Sequence, residues 1–255
     1  MNSAKKIFAA GSAVAMLLLG AAPVLAVAHT VGTNISSTDG TVWMIANGAS
    51  GVCRRAYTSA GAFLSYGFNS WSQVVVANSD DLALPVCSEG FIPPQDGSVI
   101  FSDRGADKGT GYIVSGGMKY GFPTEAIFKG QGYSYSTAMW ADMSWMATGG
   151  VVNAADAAHL PGTLVNNNGT VQLVGNSGLL GVPDLATFNS WGYSFAKVVP
   201  ANANDKAKAQ TGVMAMRQPG QLSPTSMSTT PVTTGPISAM LAASNPASGV
   251  IVAGQ

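Results

Sequence analysis

Charge is the scarcest ingredient of this 255-residue chain: charged residues make up only 9%, with 12 Lys and Arg against 12 Asp and Glu. An ordinary soluble domain carries roughly a quarter. A nucleic-acid binder is excluded by that poverty, because neutralising phosphates needs clustered Lys and Arg. Histidine and glutamate are nearly missing, with two of each (His29, His159, Glu89, Glu125). A Ser-His-Asp arrangement could be built only on His159, since His29 stands on an end expected to fray. No serine sits in a G-x-S-x-G elbow. Two cysteines, Cys53 and Cys87, 34 positions apart and remote from His159, do not make a zinc pattern. The Asp103–Asp107 loop lacks the dense ligand spacing and terminal acid of a calcium loop and reads as a solvated turn. No cofactor is called for, and a secreted hydrolase is a remote reading.

What is present starts with an address. Lys5 and Lys6 precede an apolar stretch from Ile7 to Gly20, and Ala26-Val27-Ala28 offers an A-x-A cleavage site. Residues 1–28 therefore read as a secretory signal peptide cut after Ala28. The alternative, a membrane anchor, is disfavoured because Gly11, Ser12 and Gly20 interrupt a run shorter than the roughly 20 residues a span needs. No cysteine near the cut permits a lipid anchor, and no later segment is apolar enough to cross a membrane. Cleavage removes two lysines and leaves a net charge of −2. So weak a charge does little to keep copies apart, which permits self-association. In an exported chain the cysteine pair reads as a disulfide, with buried thiols as the alternative.

Self-similarity organises the rest. Gly40-Thr41 recurs as Gly109-Thr110 and Gly169-Thr170, and Phe63 recurs as Phe128 and Phe188. Gly67-Phe68 recurs as Gly132-Tyr133 and Gly192-Tyr193, and lead-in glycines repeat at Gly32, Gly97 and Gly162. The units run over 32–96, 97–161 and 162–217, the last including Gly212-Val213-Met214 as the apparent start of a fourth. Each holds short β-branched and aromatic runs bounded by Gly and Asn, which suggests successive strands. A short helix follows: Ser59, Thr124 and Asp184 suit its N-cap, and Gly67, Gly132 and Gly192, eight positions later in every copy, suit its C′ position. Phe63, Phe128 and Phe188 fall on the helix side that faces the strands. The expected class is mainly β with short helices, three tandem α+β repeats of 60–65 residues. Recurring aromatics, among them Trp71, Tyr135 and Phe195, read as a repeated core, whereas Trp43, Trp140 and Trp145 break the repeat; Trp140 and Trp145 are the candidate ligand-binding residues. His159 reads as a loop residue.

From Gln218 onward no residue is charged, and Pro219, Pro224, Pro231 and Pro236 stand among Ser and Thr, the composition of an extended linker (218–236). Residues 237–255, with the apolar Val250-Ile251-Val252, read as the opening of a truncated β-sandwich domain, a natural apolar tail being the alternative. Gly40 to Ile45, Arg54-Arg55, Ser59, Phe63, Ser65 and Gly67-Phe68 together resemble the tandem repeats of S-layer-like surface proteins of ultra-small uncultivated bacteria. The third copy keeps Gly169-Thr170-Val171, Phe188, Ser190 and Gly192-Tyr193 but has Leu179-Leu180 where the basic pair belongs. Ala243 to Gln255 is similar to the start of the immunoglobulin-like domains of such proteins. The resemblance implies a cell-surface location. The expected function is thus a secreted, non-catalytic structural or adhesive repeat protein, the second reading a module binding cell-wall glycan or protein.

Overall fold

The computed structural model describes residues 27–68, 70–224 and 227–228. Most of the expected signal peptide and of the linker, and all of the expected β-sandwich opening, lie outside them. Three sheets follow one another along the chain and share one plan. In the first, β1 (Asn34–Ser36), β2 (Val42–Gly48) and β3 (Gly51–Ala56) form an antiparallel meander. Helix α1 (Ala60–Ser65) and a 3₁₀ turn then return the chain to β4 (Val74–Val76), which runs parallel to β1 on the outer edge. After α2 (Ser79–Ala83) the chain passes the opposite edge, bridging Arg54 to Val86 and Tyr57 to Ile92.

The second unit repeats this with β5 (Val99–Ser102), β6 (Gly111–Ser115), β7 (Met118–Gly121), α3 (Glu125–Gly130), β8 (Met139–Ala141) and β9 (Thr148–Val151), in the order β8-β5-β6-β7-β9. The third has β10 (Leu164–Asn167), β11 (Thr170–Val174), β12 (Leu179–Gly181), α4 (Leu185–Ser190), β13 (Val199–Pro200), α5 (Ala203–Lys206), β14 (Gln210–Met214) and β15 (Met227–Ser228). Its order is β13-β10-β11-β12-β14-β15. Asn168-Gly169 joins β10 to β11 with φ of 52° and 86°, the left-handed pair that a two-residue hairpin turn requires. Gly212 to Met214, expected to open a fourth copy, lie in β14 and pair with β12 of the third sheet.

Each helix is fixed by the same local chemistry. Ser59 Oγ accepts the Ala62 amide (3.0 Å), Thr124 Oγ1 the Ile127 amide (3.2 Å) and Asp184 Oδ1 the Thr187 amide (2.6 Å). These bonds satisfy first-turn donors that the helix leaves open. At the other end Gly67, Gly132 and Gly192 take φ of 80°, 81° and 69°, values costly for any residue with a Cβ. Between them Phe63, Phe128 and Phe188 are buried. Each ring lies against two that follow its helix: Phe63 against Phe68 (4.9 Å) and Trp71 (5.0 Å), Phe128 against Tyr133 (5.9 Å) and Tyr135 (4.8 Å), and Phe188 against Tyr193 (5.7 Å) and Phe195 (4.5 Å). The reading of all these aromatics as core needs one correction. Trp71 and Tyr135 cover the phenylalanine with one face and remain 55% and 50% exposed.

The units are not beads. Tyr66, Gln131 and Trp191 cap the three helices at the C-terminus, all buried. Each side chain donates to a carbonyl on the way out of its unit: Tyr66 Oη to Pro93 (3.1 Å), Gln131 Nε2 to Ala157 (2.7 Å) and Trp191 Nε1 to Ala215 (2.8 Å). Units one and three then exchange arms. Gln95 Nε2 donates to the Trp191 carbonyl, and Arg217 donates to that of Tyr66 while lying over the rings of Tyr66, Phe68 and Trp191. Gly67 and Gly192 meet backbone to backbone, so close that a Cβ on Gly67 would stand 2.3 Å from the Gly192 Cα. Gly97 and Gly162 meet in the same way, and one apolar cluster draws Val99, Ile113 and Phe128 from unit two and Val165, Val174 and Leu179 from unit three. The expected linker also begins later than its composition suggested. Pro219-Gly220 packs on Gly32, and Leu222 joins the first unit's core.

Candidate functional site

The two histidines occupy one repeated position, contrary to the expectation of a frayed end and a lone loop residue. Asn78 and Asp81 form a capping box at the start of α2, and Asn202 and Asp205 form another at α5. Both acids are fully buried. Asp81 accepts the His29 amide (2.7 Å) and faces its Nδ1 (2.7 Å); Asp205 accepts the His159 amide (2.8 Å) and faces its Nδ1 (2.5 Å). The Nε2 of buried His159 donates to the Gln131 carbonyl (2.8 Å), tying unit three to the end of α3. Both ring nitrogens thus face acceptors. Burial raises the Asp205 carboxyl, but hydrogen bonds and charge from His159, with the His159 and Asn202 amides, bring it below the usual carboxylate range. His159 thus joins the end of α3 to the capping box of α5.

Pro94 and Trp145 stand where unit two would have the histidine and acid, and Asp142 caps Ser144 as Asn78 caps Asp80. Trp145 donates its Nε1 to the Asp142 carbonyl (2.8 Å) and stays 42% exposed. The missed signal was plain: Ala28-His29 lies three residues before Gly32 as Ala158-His159 lies before Gly162.

A second repeated arrangement lies on the sheets. Arg54 covers Trp43 at 4.6 Å, and Lys119, its counterpart in the next unit, lies 4.8 Å from the Tyr112 ring. Such pairing is favourable where water is partly excluded. Lys119 Nζ also reaches Asp107 (2.9 Å) and the Met143 carbonyl (2.7 Å). Chiefly through the Lys119 hydrogen bond, against desolvation and with help from Tyr112 and Ser102, the Asp107 carboxyl is lowered to about 2. Asp107 is thus paired with Lys119, and Asp103 with Arg104.

Cys53 and Cys87 form a disulfide, with Cα atoms 5.1 Å apart, that ties β3 to the segment leading to Ile92. At the matching positions of the second unit, Val152 is buried and Met118 is 36% exposed. Trp140 is 59% exposed and lies 5.4 Å from Phe101, which in turn lies 5.5 Å from Tyr135, so these rings form a ridge on unit two. Trp43 is half-buried and donates to Ser37 Oγ. A cavity of about 330 Å³ between the units is lined by Asp96, Asn176, Tyr193 and Thr211. Burial raises the Asp96 carboxyl, while amides of Gly116 and Gly117 oppose that rise.

No helix among the described residues is long and apolar enough to cross a membrane. No family model and no curated protein matches the chain. One solved structure aligned with it is described as the periplasmic assembly from the ESX-5 inner membrane complex, with 10% identity and a TM-score of 0.18. That alignment covers 80% of this chain and 62% of the other, and at such a score it carries no argument. The β-rich fold and the disulfide are compatible with a place outside the cytoplasm.

Proposed function

We propose that this is a secreted, non-catalytic structural repeat protein of the cell surface, of the S-layer-like kind that its motifs resemble. The observation that carries the reading is the use of its scarce reactive groups. His159 is buried between Asp205 and the Gln131 carbonyl, Asp107 is neutralised by Lys119, and both cysteines are joined. In these positions the scarce histidine, acid and cysteines serve to hold the fold together. The apolar leader and the disulfide support export. Surface biotinylation of intact cells tests the reading. The expected result is labelled protein lacking residues 1–28 with its disulfide intact; protein found only inside the cell, reduced and unprocessed, would contradict it.

The ridge of Trp140, Phe101 and Tyr135 favours a second reading, a module that binds cell-wall glycan, since stacked exposed rings suit the faces of sugars. Retention on purified wall, lost in Trp140→Ala and Trp145→Ala with folding intact, would support it. Equal retention of both variants would reject it.

A further inference from the structure

The cavity where the three units meet has walls of one chemical bias. Gln95 and Asp96 reach it from the arm that leaves unit one, Gly116 from the β6–β7 turn, Leu180 from β12, Tyr193 from the segment after α4, and Leu222 from the returning C-terminal arm. Its volume, about 330 Å³, lies at the small end of the range of ligand sites. Three of these side chains carry acceptors that the fold leaves unused. Gln95 is 5% exposed; its Nε2 donates to the Trp191 carbonyl (3.1 Å), and its Oε1 meets no donor among the described residues. The Asp96 carboxylate accepts the Gly117 amide (3.2 Å), with the Gly116 amide also facing it, and forms no ion pair among the described residues. Tyr193 Oη makes no hydrogen bond among the described residues, although interiors normally pair such groups.

Packing holds these groups in place. Asp96 lies so close to Gly162 that a Cβ there would stand 2.5 Å from the Asp96 Cβ. Arg217, whose charge opposes that of Asp96 at Tyr193, is engaged elsewhere: its Nε donates to the Gln221 carbonyl (2.7 Å) and its guanidinium lies over Tyr66, Phe68 and Trp191. We propose that this cavity binds a small organic ammonium ion, a protonated primary amine on a short alkyl chain. An ammonium brings three N–H donors and no acceptor, which matches a carboxylate, an amide oxygen and a phenol oxygen. Its charge supplies the counter-ion that the half-buried Asp96 lacks. Leu173, Leu180 and Leu222 form the apolar part of the wall and suit the alkyl chain. An anion would be repelled by Asp96. A bare calcium ion, which takes about six to eight oxygens, is ill served by leucine walls. The site is separate from the ridge of Trp140, Phe101 and Tyr135 and goes beyond the structural reading.

Titration of the protein with n-butylammonium chloride, followed by amide NMR and by thermal unfolding, tests it. The expected result is saturable shifts at the amides of Gln95, Gly116 and Gly117, with those of Phe101 and Tyr135 unmoved. The thermal midpoint should rise with amine concentration, because a ligand held only by the folded chain stabilises it. n-Butanol, similar in size but uncharged, should bind at least about tenfold more weakly, and so should the amine to Asp96→Asn. Tyr193→Phe should weaken the amine by about threefold or more. Asparagine keeps an acceptor for the Gly117 amide, and phenylalanine removes only a hydroxyl without a partner, so both variants retain the fold. No shift at the cavity, equal binding of butanol, or unchanged affinity in both variants would overturn the proposal. Calcium chloride that moves the same amides while the amine does not would assign the cavity to a metal and overturn it as well. Surface biotinylation is independent of these outcomes, so an empty cavity would leave the cell-surface reading standing.

Discussion

Asp205→Ala and Asp81→Ala make the same chemical change at matching positions, and the structure assigns them unequal costs. Asp205 accepts the amides of His159 and Asn202 and faces the His159 ring, all within a buried joint. Removing it leaves the buried His159 ring without its partner and two amides with no acceptor. Breaking a buried pair from one side costs about 3–5 kcal/mol. Asp81 accepts the amides of His29 and Asn78, but the His29 side chain is 36% exposed, so water replaces most of what is lost. Loss of a cap and one partly solvated bond costs about 1–2 kcal/mol. Urea unfolding at neutral pH, with the disulfide intact, measures both. The expected outcome is a midpoint shift at least twice as large for Asp205→Ala. Equal losses, or a loss below about 1 kcal/mol at Asp205, would refute the assignment of His159 and Asp205 to a buried joint.

Two further outcomes follow from the first two units. Reducing Cys53–Cys87, which are 34 residues apart, should cost about 3–4 kcal/mol on the chain-entropy model, and amide exchange should rise in β2 and β3 before β10 and β11. Acid titration should show the Asp107 pair. Its folded carboxyl lies at about 2, below the ordinary unfolded value of about 4, so its contribution is complete above pH 4 and is lost as pH falls towards 2. Asp107→Asn should remove that portion of the pH dependence, as read from thermal midpoints between pH 2 and 5.

The helices were legible in the sequence because their grammar is local. A cap, a phenylalanine and a glycine at fixed spacing state where the turn begins, what it buries and how it ends. The mainly β class with short helices was legible for the same reason, through short β-branched runs between turn residues. The joints were not. His159 meets Asp205 46 positions away, and Pro94 with Trp145 interrupts the pattern in the middle copy, hiding the relation between His29 and His159. Gly67 and Gly192 could be read as helix ends from sequence, but not as surfaces that touch each other, because a glycine that needs a left-handed φ gives no sign of a close neighbour. Tyr66, Gln131 and Trp191 perform one task with three unrelated side chains, which no comparison of residue types would align.

The account rests on three like units fused into one body around Phe63, Phe128 and Phe188. Equilibrium unfolding of Phe63→Ala, Phe128→Ala and Phe188→Ala, followed by tryptophan fluorescence and by circular dichroism, tests this most directly. Each ring is buried, so each variant should lose about 3–5 kcal/mol while keeping one transition on which both signals coincide. Separate transitions, with each substitution weakening only its own unit, would contradict the account.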